Sequence, residues 1–224
     1  QRMPMLPKLP PVTQALLIAN AAVFLLQMAV GDAALANFML WPISDGSYDP
    51  SSPGFRFLPW QLLTYAFMHG SFSHMLFNMI ALYMFGAALE HTWGNKRFLT
   101  YYLVCVVGAG LLQLLVGWWT MSNGGNAYPT VGASGGVFGL LLAYGMLFPN
   151  HRLMLLFPPI PMKARTFVIL YGAIELMLGF TGLQPGVAHF AHLGGMLFGW
   201  LLIRYWCGQP PFGKRRPPGP RIVR

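Results

Sequence analysis

The stretch from Phe98 to Trp119, FLTYYLVCVVGAGLLQLLVGWW, carries no charged side chain, and its length decides the class of fold. A helix rises about 1.5 Å per residue, so roughly 20 apolar residues match the ~30 Å hydrocarbon core of a bilayer. Five further apolar runs lie at about 13–31, 72–89, 133–148, 166–182 and 187–206. The 224-residue chain is 55% hydrophobic and only 8% charged, with a mean hydropathy of +0.52. Soluble domains carry roughly a quarter charged residues, so water is not the main solvent of this chain. The expected fold is all-α, a polytopic membrane bundle of six transmembrane helices over 13–206. A short segment, 1–12, precedes it, and a basic, proline-rich tail, 207–224, follows it. One connection is long: 33–71, with Pro42, Asp45, Gly46, Asp49, Pro50, Pro53 and Pro59. The others are short.

The first run has a competing reading as a secretory signal. Arg2 and Lys8 precede an apolar core, and Ala34-Leu35-Ala36 fits a cleavage site. That core is longer than the roughly 7–15 residues of a signal, so it reads as a span. Charge then orients the bundle. With the N-terminus in the cytoplasm, Arg2, Lys8, Lys96, Arg97, Arg152, Lys163, Arg165, Arg204, Lys214, Arg215, Arg216, Arg221 and Arg224 all fall on the inner side. Only Arg56 falls outside, together with Asp32, Asp45 and Asp49. This asymmetry is the positive-inside rule, and both termini are expected in the cytoplasm. The net charge of +9 therefore reports topology and proximity to anionic lipid, with no nucleic-acid partner. The tail beyond Cys207 is expected to be disordered near the inner leaflet. Cys105 and Cys207 imply no disulfide framework.

In this topology the second, fourth and sixth runs pass from outside to inside. His74 and Asn78 near the start of the second, Ser134 near the start of the fourth, and His192 one turn into the sixth then share one depth below the outer surface. Polar side chains in hydrocarbon need partners or water, so the convergence points to a site. The fourth run, Ala133 to Phe148, rises only about 24 Å, which puts Ser134 in a cavity beneath the surface. The helix start there favours developing negative charge. A serine needs a base to become a nucleophile, and His192 is the candidate. No acidic residue presents itself as a third member, so a Ser–His dyad is expected, its imidazole oriented by packing, with Phe138 against the ring. His74 and Asn78, four apart on one helix face, would join the Ser134 amide as an oxyanion hole. Gly135-x-x-x-Gly139 and Gly195-x-x-x-Gly199 would let the fourth and sixth helices approach closely.

Gly132-Ala133-Ser134-Gly135, Ala191-His192-x-x-Gly195-x-x-x-Gly199 and His69-x4-His74-x3-Asn78 together resemble the rhomboid intramembrane serine proteases. The resemblance covers about 13–206. It implies cleavage of other membrane proteins within or beside their transmembrane helices, with Ser134 as nucleophile, His192 as base, and His74 and Asn78 at the oxyanion. Three departures stand out. Trp60-Gln61 replaces the family's frequent Trp-Arg, Phe138 stands where tyrosine is common, and no folded cytoplasmic domain precedes the first run.

Rival readings meet specific obstacles. Gly-x-Ser-x-Gly also marks the nucleophile elbow of soluble hydrolases, but that motif follows a strand, and Asn123 to Pro129 does not read as one. His189 and His192 with His74 or His69 offer a set of metal ligands, yet there is no His-Glu-x-x-His and no acid at their level, so no metal is expected. His189 is expected near the cavity mouth or at substrate, and His69 bracing the first loop. Glu175, an acid inside the fifth run, is expected near the gap between the second and fifth spans beside Phe77, in hydrogen bonding or substrate gating. The reading is a serine endopeptidase acting on transmembrane protein substrates without a cofactor, in a bacterial inner membrane. The alternatives are an inactive relative that binds transmembrane helices, and a small transporter. Substrate and oligomeric state are not legible.

Overall fold

A computed structural model describes residues 8–43, 56–125, 128–154, 160–183 and 186–213. Asp45, Asp49, Arg2 and the tail from Lys214 onward lie outside the described residues. Among the described residues, nine α-helical segments follow in order: α1 Pro11–Val30, α2 Asp32–Leu35, α3 Gln61–Thr64, α4 Phe72–Ala81, α5 Ala87–Trp93, α6 Asn95–Ser122, α7 Ser134–Leu147, α8 Ala164–Thr181 and α9 His189–Trp206. One π-helical turn, Leu82–Gly86, joins α4 to α5, so the two read as one rod from Phe72 to Trp93. A two-stranded antiparallel hairpin, β1 Arg152–Met154 with β2 Pro161–Lys163, is the single departure from helix that forms a sheet among the described residues.

The apolar runs of the sequence fall on these helices. Pro11–Val30, Phe72–Trp93, Asn95–Ser122 and Ala164–Thr181 are long and apolar enough to cross a membrane. Two expected spans are not of that kind. α7 has only 14 residues, and α9 is broken in its apolarity by His189, His192 and Arg204. The physical reason is position. α7 buries Gly136, Val137, Leu140, Leu141 and Ala143 among its neighbours, so protein rather than lipid is its solvent. α9 packs most extensively on α6 and α7.

Local chemistry sets the ends. Ser71 caps α4, its Oγ accepting from the His74 amide at 3.1 Å. Gly94, at φ 75°, is the single residue between α5 and α6. Gly182 closes α8 in the left-handed region. Phe148 ends α7 because Pro149 disfavours a helical residue before it. The buried Glu90 carboxylate accepts from the Val12 and Thr13 amides and the Thr13 hydroxyl at 2.7–2.9 Å, which pins the positive start of α1 to α5.

The connection between α1 and α4 is anchored by amides rather than by a guanidinium. Buried Gln61 accepts from the Trp41 amide at 3.1 Å and donates to the carbonyls of Asn37 and Arg56 at 3.1 and 3.2 Å. Trp60 Nε1 also donates to Asn37. Gln27 of α1 grips the backbone of His69 from both sides, at 2.9 and 3.2 Å. Leu40 and Thr130 exchange both backbone hydrogen bonds, at 2.9 and 3.0 Å, tying this connection to the loop before α7.

Candidate active site

Ser134 is the first residue of α7. Its loop is held from behind: Thr130 pairs with Leu40, and the Gly132 amide donates to Tyr65 O at 2.9 Å. Gly132 sits at φ 130°, where a side chain is strained. A Cβ there would also lie 2.8 Å from His74 Nε2 and 3.6 Å from Ser134 Oγ. Two independent reasons thus favour glycine, and the second leaves room for the His74 ring beside the serine. The sequence pattern contains Gly132 but singles it out for neither.

The close approach of α7 and α9 is made by backbone. A Cβ on Gly195 would strike the Gly135 carbonyl, and one on Gly139 would meet Cys105 Sγ and approach Gly195 O. Gly199 departs from the expected pairing. It faces α6, against Tyr101 and Cys105, while Tyr101 donates to Gly139 O at 2.8 Å. The three helices therefore share one small-residue seam rather than two matched motifs on two rods.

This seam brings Ser134 Oγ to 2.8 Å from His192 Nε2. Phe138 stacks on the imidazole with centroids 4.3 Å apart and planes 5° from parallel. Packing is only half of what orients the ring. Glu175 Oε2 accepts a hydrogen bond from His192 Nδ1 at 2.8 Å and a second from His189 Nδ1 at 2.7 Å. A carboxylate only accepts, so both Nδ1 atoms carry hydrogen and His192 Nε2 is left with the lone pair that accepts from Ser134 Oγ. The expectation that packing alone orients the imidazole is corrected: the Glu175 carboxylate also holds it. The hydrogen bonding expected of Glu175 is made to α9. Glu175 is buried and turned to α9, whereas Phe77 is 59% exposed.

The signal for Glu175 was depth. It lies six residues from the end of α8, about 9 Å below it, while His192 lies three residues into α9. Counting only the helices that run inward hides that match. The argument against a metal also fails at its second step, because an acid does stand at the histidines' level. Ligand atoms of Glu175, His189 and His192 lie within 4.8 Å of one another.

His74 and Asn78 line the same cavity as Ser134 and His192, a space of about 760 Å³. Asn78 Nδ2 donates one hydrogen to His74 O at 2.9 Å, which leaves its other N–H for the cavity. The Ser134 amide, at a helix start, has no intrahelical acceptor. His69 is not in the cavity wall. Its ring packs edge-on to His74, 5.1 Å between centroids, and both ring nitrogens are buried without a protein partner. Burial, and then the nearby His74, push the His69 imidazole down to about 4. His189 is buried too and lines a second cavity of about 630 Å³, walled by Trp118, Trp119, Phe180, Phe190 and Gln113. Tyr128, Gly186, Val187 and Ala188 border both spaces.

Residues 57–209 match the Rhomboid domain. The chain is 35% identical over 163 residues to RHOMBOID-like protein 4 of Arabidopsis thaliana, covering 71% of this chain and 38% of that protein. It is 26% identical over 197 residues to Rhomboid protease GlpG of Yersinia pseudotuberculosis, covering 88% and 62%. Against Rhomboid protein 1, mitochondrial, of Saccharomyces cerevisiae it is 31% identical over 145 residues, covering 62% and 40%. The chain thus spans roughly two fifths to three fifths of the length of these curated relatives.

Proposed function

The chain belongs to the rhomboid family, and from that premise we propose that it is an intramembrane serine endopeptidase acting on membrane protein substrates. The observation that carries the reading is the line of hydrogen bonds from Ser134 Oγ through His192 to Glu175 Oε2, at 2.8 Å for each link. Ser134 Oγ attacks the scissile carbonyl while His192 Nε2 takes its proton. The imidazolium so formed carries its positive charge against the Glu175 carboxylate, which also fixes the tautomer that leaves Nε2 free. His74, the free N–H of Asn78 and the Ser134 amide supply donors for the oxyanion, the term whose loss typically costs about 10²–10³ in rate. His192 then returns the proton to the leaving amine. Water entering the Ser134 cavity, activated by the same imidazole, releases the acyl group.

The substrate we propose is a transmembrane helix that unwinds locally, since a helical peptide bond is shielded by its own hydrogen bonds. α7 and α9 complete six crossings in this reading, with both termini on the cytoplasmic side as the basic residues favour. A bacterial inner membrane fits that charge pattern.

The test is activity-based labelling. A fluorophosphonate should modify Ser134 in the purified protein, and Ser134→Ala should abolish both labelling and cleavage of a reconstituted single-span substrate. Cleavage that persists in Ser134→Ala or His192→Ala would overturn the assignment. A protein that never labels but retains transmembrane helices is the inactive binding relative instead.

A further inference from the structure

We propose that Glu175, His189 and His192 form a binding site for a zinc-like divalent cation, and that the bound cation switches the base off. Two imidazoles and one carboxylate are a donor set that zinc uses in three-ligand sites whose fourth position is left open. Here the three residues are each more than nine-tenths buried, at 8%, 5% and 9% exposure. Their ligand atoms converge: Oε2 is 2.7 Å from His189 Nδ1 and 2.8 Å from His192 Nδ1, and all three atoms lie within 4.8 Å. Zinc with bonds of about 2.0–2.1 Å in tetrahedral geometry separates its ligands by about 3.3 Å. The carboxylate oxygen therefore needs to withdraw by about half an ångström from each ring to admit the ion. His189 and His192 are three apart on one helix face, so α9 presents both rings to Glu175. Each borders a separate cavity, which gives two approaches.

The protons balance within the rings. A cation takes the lone pair at Nδ1, so the hydrogen held there moves to Nε2, and neither neutral imidazole gains or loses a proton. His192 Nε2 then donates toward Ser134 Oγ and has no lone pair left to remove the serine's proton. The second histidine supplies an independent sign of the same arrangement. His189 Nε2 is now a buried acceptor with no protein partner, and Gln113 Oε1, bordering the same cavity, is another. Two acceptors have nothing to exchange. The metal-bound tautomer turns His189 Nε2 into a donor, so the cavity wall no longer carries two acceptors alone.

The inhibitory half of this proposal rests on the protease reading; the metal site itself does not. The test uses the full chain purified without a polyhistidine tag, stripped by chelator and titrated with Co²⁺. We expect one equivalent to produce the visible ligand-field absorption of a four-coordinate ion, and Zn²⁺ to displace it. Zn²⁺ should slow fluorophosphonate labelling of Ser134 at least about tenfold, reversibly on chelation. In His189→Gln the Zn²⁺ dissociation constant should rise at least about tenfold, and the zinc effect on labelling should fall in parallel. Glu175→Gln carries the same comparison should His189→Gln fail to fold. Wild-type protein without the absorption, or with the same absorption in the ligand variants, overturns the site. Absorption with undiminished labelling overturns the switch. Absence of labelling even in metal-free protein removes the protease reading, while the cobalt spectrum still decides the site.

Discussion

At the level of single side chains, Glu175 does more than the charge of one acid suggests. It holds two histidines by one oxygen, so its removal leaves His192 stacked on Phe138 but free to turn its tautomer. We expect Glu175→Gln to lower kcat/KM by about 10²- to 10⁴-fold while fluorophosphonate labelling slows without vanishing. A loss confined to KM, with kcat intact, would argue against a role in holding the base. Ser134, His192, His74 and Asn78 were legible in the sequence because glycine, spacing and charge bias all placed them at one depth. Glu175 was visible and expected to hydrogen-bond, but its partner His192 was not, because its partner face depends on the rotation of α8. A residue's depth can be counted, whereas which way it points follows from packing that no count supplies. Gln61 shows the same limit. It stands where the resembled family often has arginine, and how its amide reaches three backbone groups at once could not be counted from the chain.

Helices α6, α7 and α9 carry the energetic argument at the next scale. Gly195 rests on the backbone of Gly135, and a backbone cannot swing aside as a flexible side chain can. Gly195→Ala should therefore push α7 from α9, lowering Tm by roughly 3–10 °C and breaking the Ser134–His192 contact. Scanning calorimetry read beside probe labelling checks this, and an alanine that leaves both unchanged refutes the seam. The glycine spacing made the α7–α9 approach readable in advance. It did not reveal that Gly199 belongs to α6, because a four-residue repeat marks a face without naming its neighbour. Gln61→Leu tests the first connection: hydrogen exchange over 36–43 and 56–70 should quicken, since lost bonds there cost about 0.5–1.5 kcal/mol each.

For the molecule as a whole, orientation and acid sensitivity are the accessible readouts. Cys207 is exposed just past α9, and Cys105 is buried between helices. With the C-terminus cytoplasmic, a membrane-impermeant maleimide should modify Cys207 only after cells are permeabilised, and Cys105 under neither condition. Modification in intact cells would invert the topology. His69 predicts a direction with pH. Its folded value near 4 lies below the ordinary 6.5, so the unfolded chain takes up a proton that the fold refuses. Stability from this group is whole above about 6.5 and is lost as pH falls toward 4, by at most about 1.4 kcal/mol per pH unit. His69→Gln should flatten the dependence of Tm on pH in that window, and an unaltered slope would exclude His69 as its source. The all-helical, apolar character of the chain was plain from composition. The bond pair between Leu40 and Thr130 was not, because nothing in either loop announces a partner ninety positions away. Its mechanical meaning reaches Ser134, four residues beyond Thr130. In the proposed protease, with the connection that holds Leu40 on the outer side, an antibody fragment clamped there would tug this clasp and so throttle turnover without ever entering the cleft.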